Sequence, residues 1–188
     1  SGFECENTGG GRCLNSTPSG DDFIIDGCFL HASGSAGYGL YTNHGSTGSI
    51  CRNTVALSPN NTEDGFRSTA QSMIFHNCMT DGFANGYANL DGATAQIVNC
   101  GGIHGGEVFD SSQSYSAGTF SNNVSTDTTA PGGSSHTLVV DGDTWHDSSS
   151  KNYRAVGAGS LADGGADLSA QFTTSIDGTA RTGTWDVG

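Results

Sequence analysis

One short phrase returns six times along this chain: two mostly apolar residues, a variable residue, Asn or a stand-in for it, then a small residue that is often Cys. It reads IIDGCF at 24–29, ICRNTV at 50–55, IFHNCM at 74–79, QIVNCG at 96–101, TFSNNV at 119–124 and LVVDGD at 138–143. The Asn-like residues are Gly27, Asn53, Asn77, Asn99, Asn122 and Asp141, separated by 26, 24, 22, 23 and 19 residues. A period in the low twenties with strand-like text at each return marks a β-solenoid in which one coil is one repeat. The expected fold is therefore all-β, a solenoid of about six coils of 19–26 residues.

The columns within the repeat explain how it folds. Two residues before the Asn position stand Ile25, Cys51, Phe75, Ile97, Phe120 and Val139, all apolar. One residue before it stand Asp26, Arg52, His76, Val98, Ser121 and Val140, a mixed set. This is a period-2 alternation, inward then outward, repeated from coil to coil. Stacked coils place the inward residues about 4.8 Å apart as an apolar ladder. Asn53, Asn77, Asn99 and Asn122 then form an Asn ladder at a bend, a position whose unusual dihedrals suit Asn and Gly. A weaker strand opens before each phrase at Gly39, Gly65, Gly86 and Glu107, so each coil carries at least two strands. The solenoid is read over 1–150, its first coil poorly defined before about residue 20, with 151–188 as a capping tail.

Charge bounds the partners. A net charge of −13 denies the chain the basic face that phosphate binding needs, so nucleic acid is excluded as a partner. No segment is apolar enough for membrane insertion as a helix. Six cysteines in a Gly- and Asn-rich chain with few charges suggest an oxidising compartment. Cys78 and Cys100 follow the Asn column on adjacent coils and are disulfide candidates; Cys5 and Cys13 could close a local loop, or Cys5 could join the same stack as Cys28. Cys51, in the inward column, reads as a small hydrophobe. Candidate N-glycosylation sites are Asn15, Asn60 and Asn123, each in an N-x-S/T triplet. Opening at Ser1, the chain reads as a processed protein or a piece of a longer one.

The inward-outward-Asn repeat resembles the right-handed parallel β-helix proteins of the pectate-lyase-like superfamily. The tail at 152–188 is similar to the closing segment of secreted or phage-encoded members of that type. The matching positions are Tyr153, Arg154, Ser160, Asp163, Gly165, Asp177, Gly178, Arg181, Gly183, Trp185, Asp186 and Gly188. Leu161 and Ala162 depart from the usual Pro-Ala. The resemblance implies a right-handed parallel β-helix and no specific activity.

Carbohydrate-active β-helices of the lyase kind place Ca²⁺ among carboxylates and use Arg or Lys as a base. Arg52 and Arg67 are candidate bases, with Glu63 and Asp64 as nearby acids, but no outward column of carboxylates accompanies them. Glycosidases need two carboxylates across the sugar. The text NTEDGF at 61–66 resembles one polygalacturonase motif, but the partner motifs in later coils are missing. The histidines, His76 among them, read as solvated surface groups, and Trp145 and Trp185 as seals of the last coil. Asp141, Asp143 and Asp147 bring Ca²⁺ to mind without a full calcium loop, so no cofactor and no catalytic residue is expected. The reading is a non-catalytic structural subunit, extracellular or on a virion surface, such as a fibre, decoration protein or adhesin. It would self-associate or join a larger surface assembly. A carbohydrate-active enzyme or a glycan-binding module, with glycans as partners, is the alternative.

Overall fold

Short alternating strands separated by Gly- and Ser-rich turns bury one column of side chains only when coil stacks on coil. The computed structural model describes residues 3–9, 11–16, 22–33, 37–42, 48–59, 63–69, 72–90, 92, 94–132, 145–147, 152–155, 165–175, 179–183 and 185, and it is such a stack. The chain lays down three strands per coil. The first coil holds β1 (Phe3–Asn7), β2 (Gly11–Ser16) and β3 (Ile24–Asp26). The second holds β4 (Cys28–Ala32), β5 (Gly37–Thr42) and β6 (Ile50–Arg52), and the third β7 (Val55–Leu57), β8 (Asp64–Ser68) and β9 (Ile74–His76). Then come β10 (Met79–Asp81), β11 (Asn85–Ala88), β12 (Gln96–Val98), β13 (Gly101–Ile103), β14 (Glu107–Phe109), β15 (Thr119–Ser121) and β16 (Val124–Ser125).

These strands form three parallel sheets: sheet 1 is β1-β4-β7-β10-β13-β16, sheet 2 is β2-β5-β8-β11-β14, and sheet 3 is β3-β6-β9-β12-β15. The fold is a parallel β-solenoid. Four turns join the five strands of sheet 3, fewer than the six coils expected. The sixth return, at 138–143, lies outside the described residues. At the other end, β1 and β2 add strands before residue 20, where the repeat was not legible. A separate antiparallel pair, β17 (Trp145–Asp147) and β18 (Asn152–Ala155), follows the stack.

The inward column sits in the core where a coil lies on both sides. Cys51, Phe75 and Ile97 are buried, whereas Ile25 and Phe120, on the end coils, are only partly covered; Val139 is outside the described residues. Aromatic rings from sheets 2 and 3 fill the middle: Phe66 lies 5.1 Å from Phe75, and Tyr87 stacks on Phe109 at 4.7 Å. The Tyr87 hydroxyl donates to the Cys78 carbonyl at 2.7 Å, which makes that phenol tolerable in an apolar interior.

The sheet 1 strand of each coil is absent from the sequence reading. From β7 onward its outward residues Val55, Leu57, Met79, Ile103 and Val124 are buried as well as its inward ones. A strand buried on both faces shows no alternation, so periodicity does not mark it.

Sheet 3 turns into sheet 1 through one residue per coil, and that residue is left-handed each time: Gly27 (φ 67), Asn53 (φ 48), Asn77 (φ 58), Asn99 (φ 56) and Asn122 (φ 53). The side chains make a partial ladder. Asn77 Nδ2 donates to Asn53 Oδ1 at 3.1 Å, and Asn53 Nδ2 continues to Asp26 Oδ1 at 3.1 Å. Asn99 donates instead to the Ala166 carbonyl, and Asn77 Oδ1 is buried without a partner.

The bend makes Asn77 a test of backbone against side chain. Asn77→Ala places a Cβ residue with no local polar compensation in the left-handed region and deletes the bond to Asn53, costing on the order of 1–3 kcal/mol. Asn77→Gly keeps the bend conformation and should cost less. Urea unfolding midpoints check the order; equal midpoints for the two variants would mean that the left-handed bend is not what Asn77 supplies.

Candidate functional site

The residue after the bend explains the cysteines. Cys28 Sγ donates to the Asp26 carbonyl at 3.6 Å, Thr54 Oγ1 to Arg52 at 2.9 Å, Cys78 Sγ to His76 at 3.4 Å and Cys100 Sγ to Val98 at 3.3 Å. Each is a small side chain with a donor, reaching back two residues across the left-handed turn. In the next coil Asn123 holds this place, its amide donating to the Ile97 and Pro131 carbonyls and accepting from Cys100 N–H.

The expected disulfides are therefore corrected. All six thiols are free, although Cys78 and Cys100 do sit on neighbouring coils, with Cys78 N–H 3.4 Å from Cys100 Sγ. Parallel stacking points both Cβ atoms the same way and holds them near the strand spacing of about 4.8 Å. A disulfide wants Cβ atoms about 3.8 Å apart. Cys5 and Cys13 also remain thiols, Cys5 Sγ donating to the Cys13 carbonyl at 3.2 Å. Burial pushes the Cys78 thiol well above its ordinary range, as befits a structural donor.

Among the glycosylation candidates, Asn123 is fully buried with its amide engaged, so the folded chain leaves no place for a sugar there. Asn15 is exposed on β2, and its Oδ1 accepts from Arg12 Nη1 at 2.9 Å. Asn60 lies outside the described residues, as do Asp141, Asp143 and the side chain of Asp147. No group of three or more His, Cys, Asp or Glu placed to hold a metal ion is found among the described residues.

Sheet 2 gathers polar and aromatic groups on its outer face. Register places Arg12 beside Tyr38 and Asn85 between Asp64 and Glu107. A second column runs through Asn15, Tyr41, Arg67 and Ala88. The Arg12 guanidinium carbon lies 3.5 Å from the Tyr41 ring centre, and Tyr38 meets Tyr41 edge to face at 5.2 Å. Below them, Asp64 is 3% exposed and holds both Arg67 Nη1 at 2.7 Å and Asn85 Nδ2 at 2.8 Å. Arg12, Tyr38, Tyr41 and Asn85 escaped the sequence reading because only strand register aligns them across turns of unequal length.

The candidate bases are both engaged. The hydrogen bond that Arg67 donates to Asp64 raises the Arg67 pKa above its already high value, the opposite of what proton abstraction requires. Arg52 is held by Asp26 at 2.8 Å and donates to the Gln171 carbonyl at 2.7 Å.

Gln171 belongs to a flap, the described part of 165–185, that crosses the outer face of sheet 3. Ala166 exchanges two bonds with Asn99, at 2.8 and 2.7 Å, and the Thr174 carbonyl accepts from Asn53 at 3.0 Å. Leu168, Phe172 and Trp185 bury Val98 between them. Trp185 thus seals the side of the stack. His76 faces outward from sheet 3, yet the flap covers it: it is 4% exposed, stacks on Phe172 at 6.5 Å, and its Nδ1 has no partner. The expectation of a solvated histidine is corrected on this contact.

The other notable surface is the first coil. Phe3 and Ile24 are 57% and 63% exposed, the large hydrophobic side chains left open among the described residues. No family model, curated protein or solved structure matches the chain.

Burial, and secondarily the Arg52 charge, lowers the His76 pKa below the ordinary 6.5, with Gln96 opposing. Phe172 is its ring neighbour, and the Arg52 beside it pairs with Asp26. Below pH 6.5 the unfolded chain takes up a proton that the folded chain refuses, so stability falls as pH drops from 6.5 toward the folded value. His76→Gln should remove that part of the pH dependence. Denaturation midpoints from neutral to mildly acidic pH, read on Trp185 fluorescence, check it; parallel profiles for both proteins would contradict the assignment.

Proposed function

We propose that this chain is a non-catalytic structural subunit of an extracellular or virion-surface assembly, held in that assembly by its first coil. The observation that carries the reading is the open end of the solenoid. Among the described residues, no strand pairs with the outer edges of β1, β2 and β3, and exposed apolar side chains concentrate on the same coil. Open strand edges above an uncovered core are a template for added strands. The engaged states of Arg52 and Arg67 support a non-catalytic role. Membership of the pectate-lyase-like superfamily, which the repeat and tail resemble, is part of this proposal.

Amide exchange tests it together with an activity screen. In the isolated chain, amides on the outer edges of β1–β3 should exchange far faster than those of β7–β9, and no polysaccharide should release reducing or unsaturated ends, with or without Ca²⁺. Protection of the first coil equal to that of the middle coils, or sugar release, would sink the reading.

A second reading rests on a different observation, the Arg12–Tyr41–Tyr38 cluster beside the Asp64–Arg67–Asn85 network. Aromatic faces flanked by fixed hydrogen-bonding groups suit sugar rings. On this reading the outer face of sheet 2 binds a glycan without cleaving it. Retention on a glycan array should fall about tenfold with Tyr41→Ala, which removes a ring worth about 1–2 kcal/mol of contact. Unchanged retention would argue against it.

A further inference from the structure

The flap over sheet 3 is bonded to itself before it is bonded to the stack. Gly165 N–H donates to the Trp185 carbonyl at 2.6 Å, and Gln171 and Phe172 N–H to that of Leu168 at 2.8 and 3.1 Å. Ser175 N–H reaches Thr179 at 2.9 Å and Arg181 N–H reaches Thr173 at 2.8 Å. Among the described residues, these backbone bonds all close within 165–185. The segment docks on sheet 3 through side chains instead: Asn99 to Ala166, Asn53 to the Thr174 carbonyl, and Arg52 to the Gln171 carbonyl. Leu168, Phe172 and Trp185 add apolar contact on Val98. A segment whose main chain is not woven into a sheet can leave it without breaking the ladder, and such segments open locally.

His76 lies beneath this segment, on the strand between the two Asn latches. There the flap offers a ring and no hydrogen bond: Phe172 stacks over the imidazole, whose buried Nδ1 has no partner. Strand register sets Arg52 directly beside His76 on one coil and Val98 on the other. From β12, Gln96 supplies a neutral amide. The nearby carboxylate of Asp26 is engaged by Arg52. On the flap, Asp167 is exposed and is held below its ordinary range by bonds from Ser169, while Arg181 lies over the Trp185 ring at 5.0 Å. Among the described residues no carboxylate pairs with His76. A proton taken up with the flap closed therefore places a cation beside Arg52 and under an apolar ring. Like charge and desolvation both oppose that state, and water relieves both once the flap lifts.

We infer that the flap is an acid-released strap: proton uptake by His76 lifts it from sheet 3 while the solenoid beneath stays folded. Release bares Val98 and the apolar sides of Leu168, Phe172 and Trp185, which are buried in the closed position. The sign follows from linkage. With the strap lifted, His76 sits in water and takes its proton near the ordinary 6.5; with the strap closed it takes it at lower pH. Above pH 6.5 the proton favours neither position. Below it, opening gains up to about tenfold per pH unit, until the closed position is protonated as well. The same proton that weakens the whole fold thus has an earlier outlet, because lifting the strap breaks side-chain latches and no sheet ladder. The inference is independent of whether the chain is a structural subunit or binds a glycan.

Trp185, 3% exposed, reports the strap once Trp145→Phe makes it the single tryptophan of the whole chain. Without denaturant, its quenching by acrylamide should rise severalfold, about tenfold at most, between roughly pH 7.5 and 5.5. The far-UV circular dichroism of the stack should stay unchanged over that range. His76→Gln should flatten the quenching profile. Phe172→Ala, which strips the cover from the ring, should leave Trp185 open to quencher at both pH values and move the His76 titration seen by NMR up toward 6.5. Quenching that ignores pH, a rise that survives in His76→Gln, or a rise that comes with loss of the β signal would overturn the inference. If His76→Gln does not fold, the Phe172→Ala titration decides: a His76 value that stays where it is in the parent chain refutes the strap.

Discussion

The chain passes from sheet 3 into sheet 1 through a single left-handed residue, and the stacking of everything else depends on that turn. Its economy lies in the backbone. Gly27 N–H reaches the Arg52 carbonyl at 3.2 Å, Asn53 N–H that of His76 at 3.1 Å, Asn77 N–H that of Val98 at 3.0 Å and Asn99 N–H that of Ser121 at 3.2 Å. The hydrogen-bond ladder therefore runs through the corner without a break, and each coil sets the register of the next. A residue confined to negative φ would open the corner and lose both the bond and the register. The small donor that follows gives the carbonyl two residues back a second hydrogen bond, beside the one that carbonyl accepts from the preceding coil at Arg52, His76 and Val98. Asn followed by Cys or Thr is in this sense one device spread over two positions.

That device changes what the cysteines say about the cell. Six thiols in a small, weakly charged chain invite a reading as a disulfide framework and hence as a secreted protein. Cys28, Cys78 and Cys100 instead occupy a position that Thr54 fills equally well, because what the site needs is a small group with a hydrogen to donate. The proposal of a surface location then draws on the acidic composition rather than on oxidised sulfur.

The parts legible in the sequence are those in which one physical requirement repeats at one spacing. The inward column and the Asn bend recur with every coil, and sheet 3 was found from them. Sheet 1 escaped because Val55, Leu57 and Met79 are apolar and buried on the face where alternation would call for polar residues. The face of sheet 2 escaped for another reason: Arg12 and Tyr41 are brought together by pairing across coils whose turns differ in length. His76 and Phe172 illustrate the limit most plainly. Their contact joins a mid-stack strand to a distant tail, and no local pattern in either segment announces it.

In a solenoid each coil is held by the coils on its two sides, so stability is close to a sum of neighbour interfaces. The first coil has one such interface among the described residues, and its core residues are correspondingly half-covered. It is then the coil from which fraying begins. A partner that covers it adds the missing interface, and the same free energy appears both as binding and as protection of β1–β3 from opening. The far end gains no comparable amount from a partner, because Asp127, Thr129 and Ala130 already occupy that place.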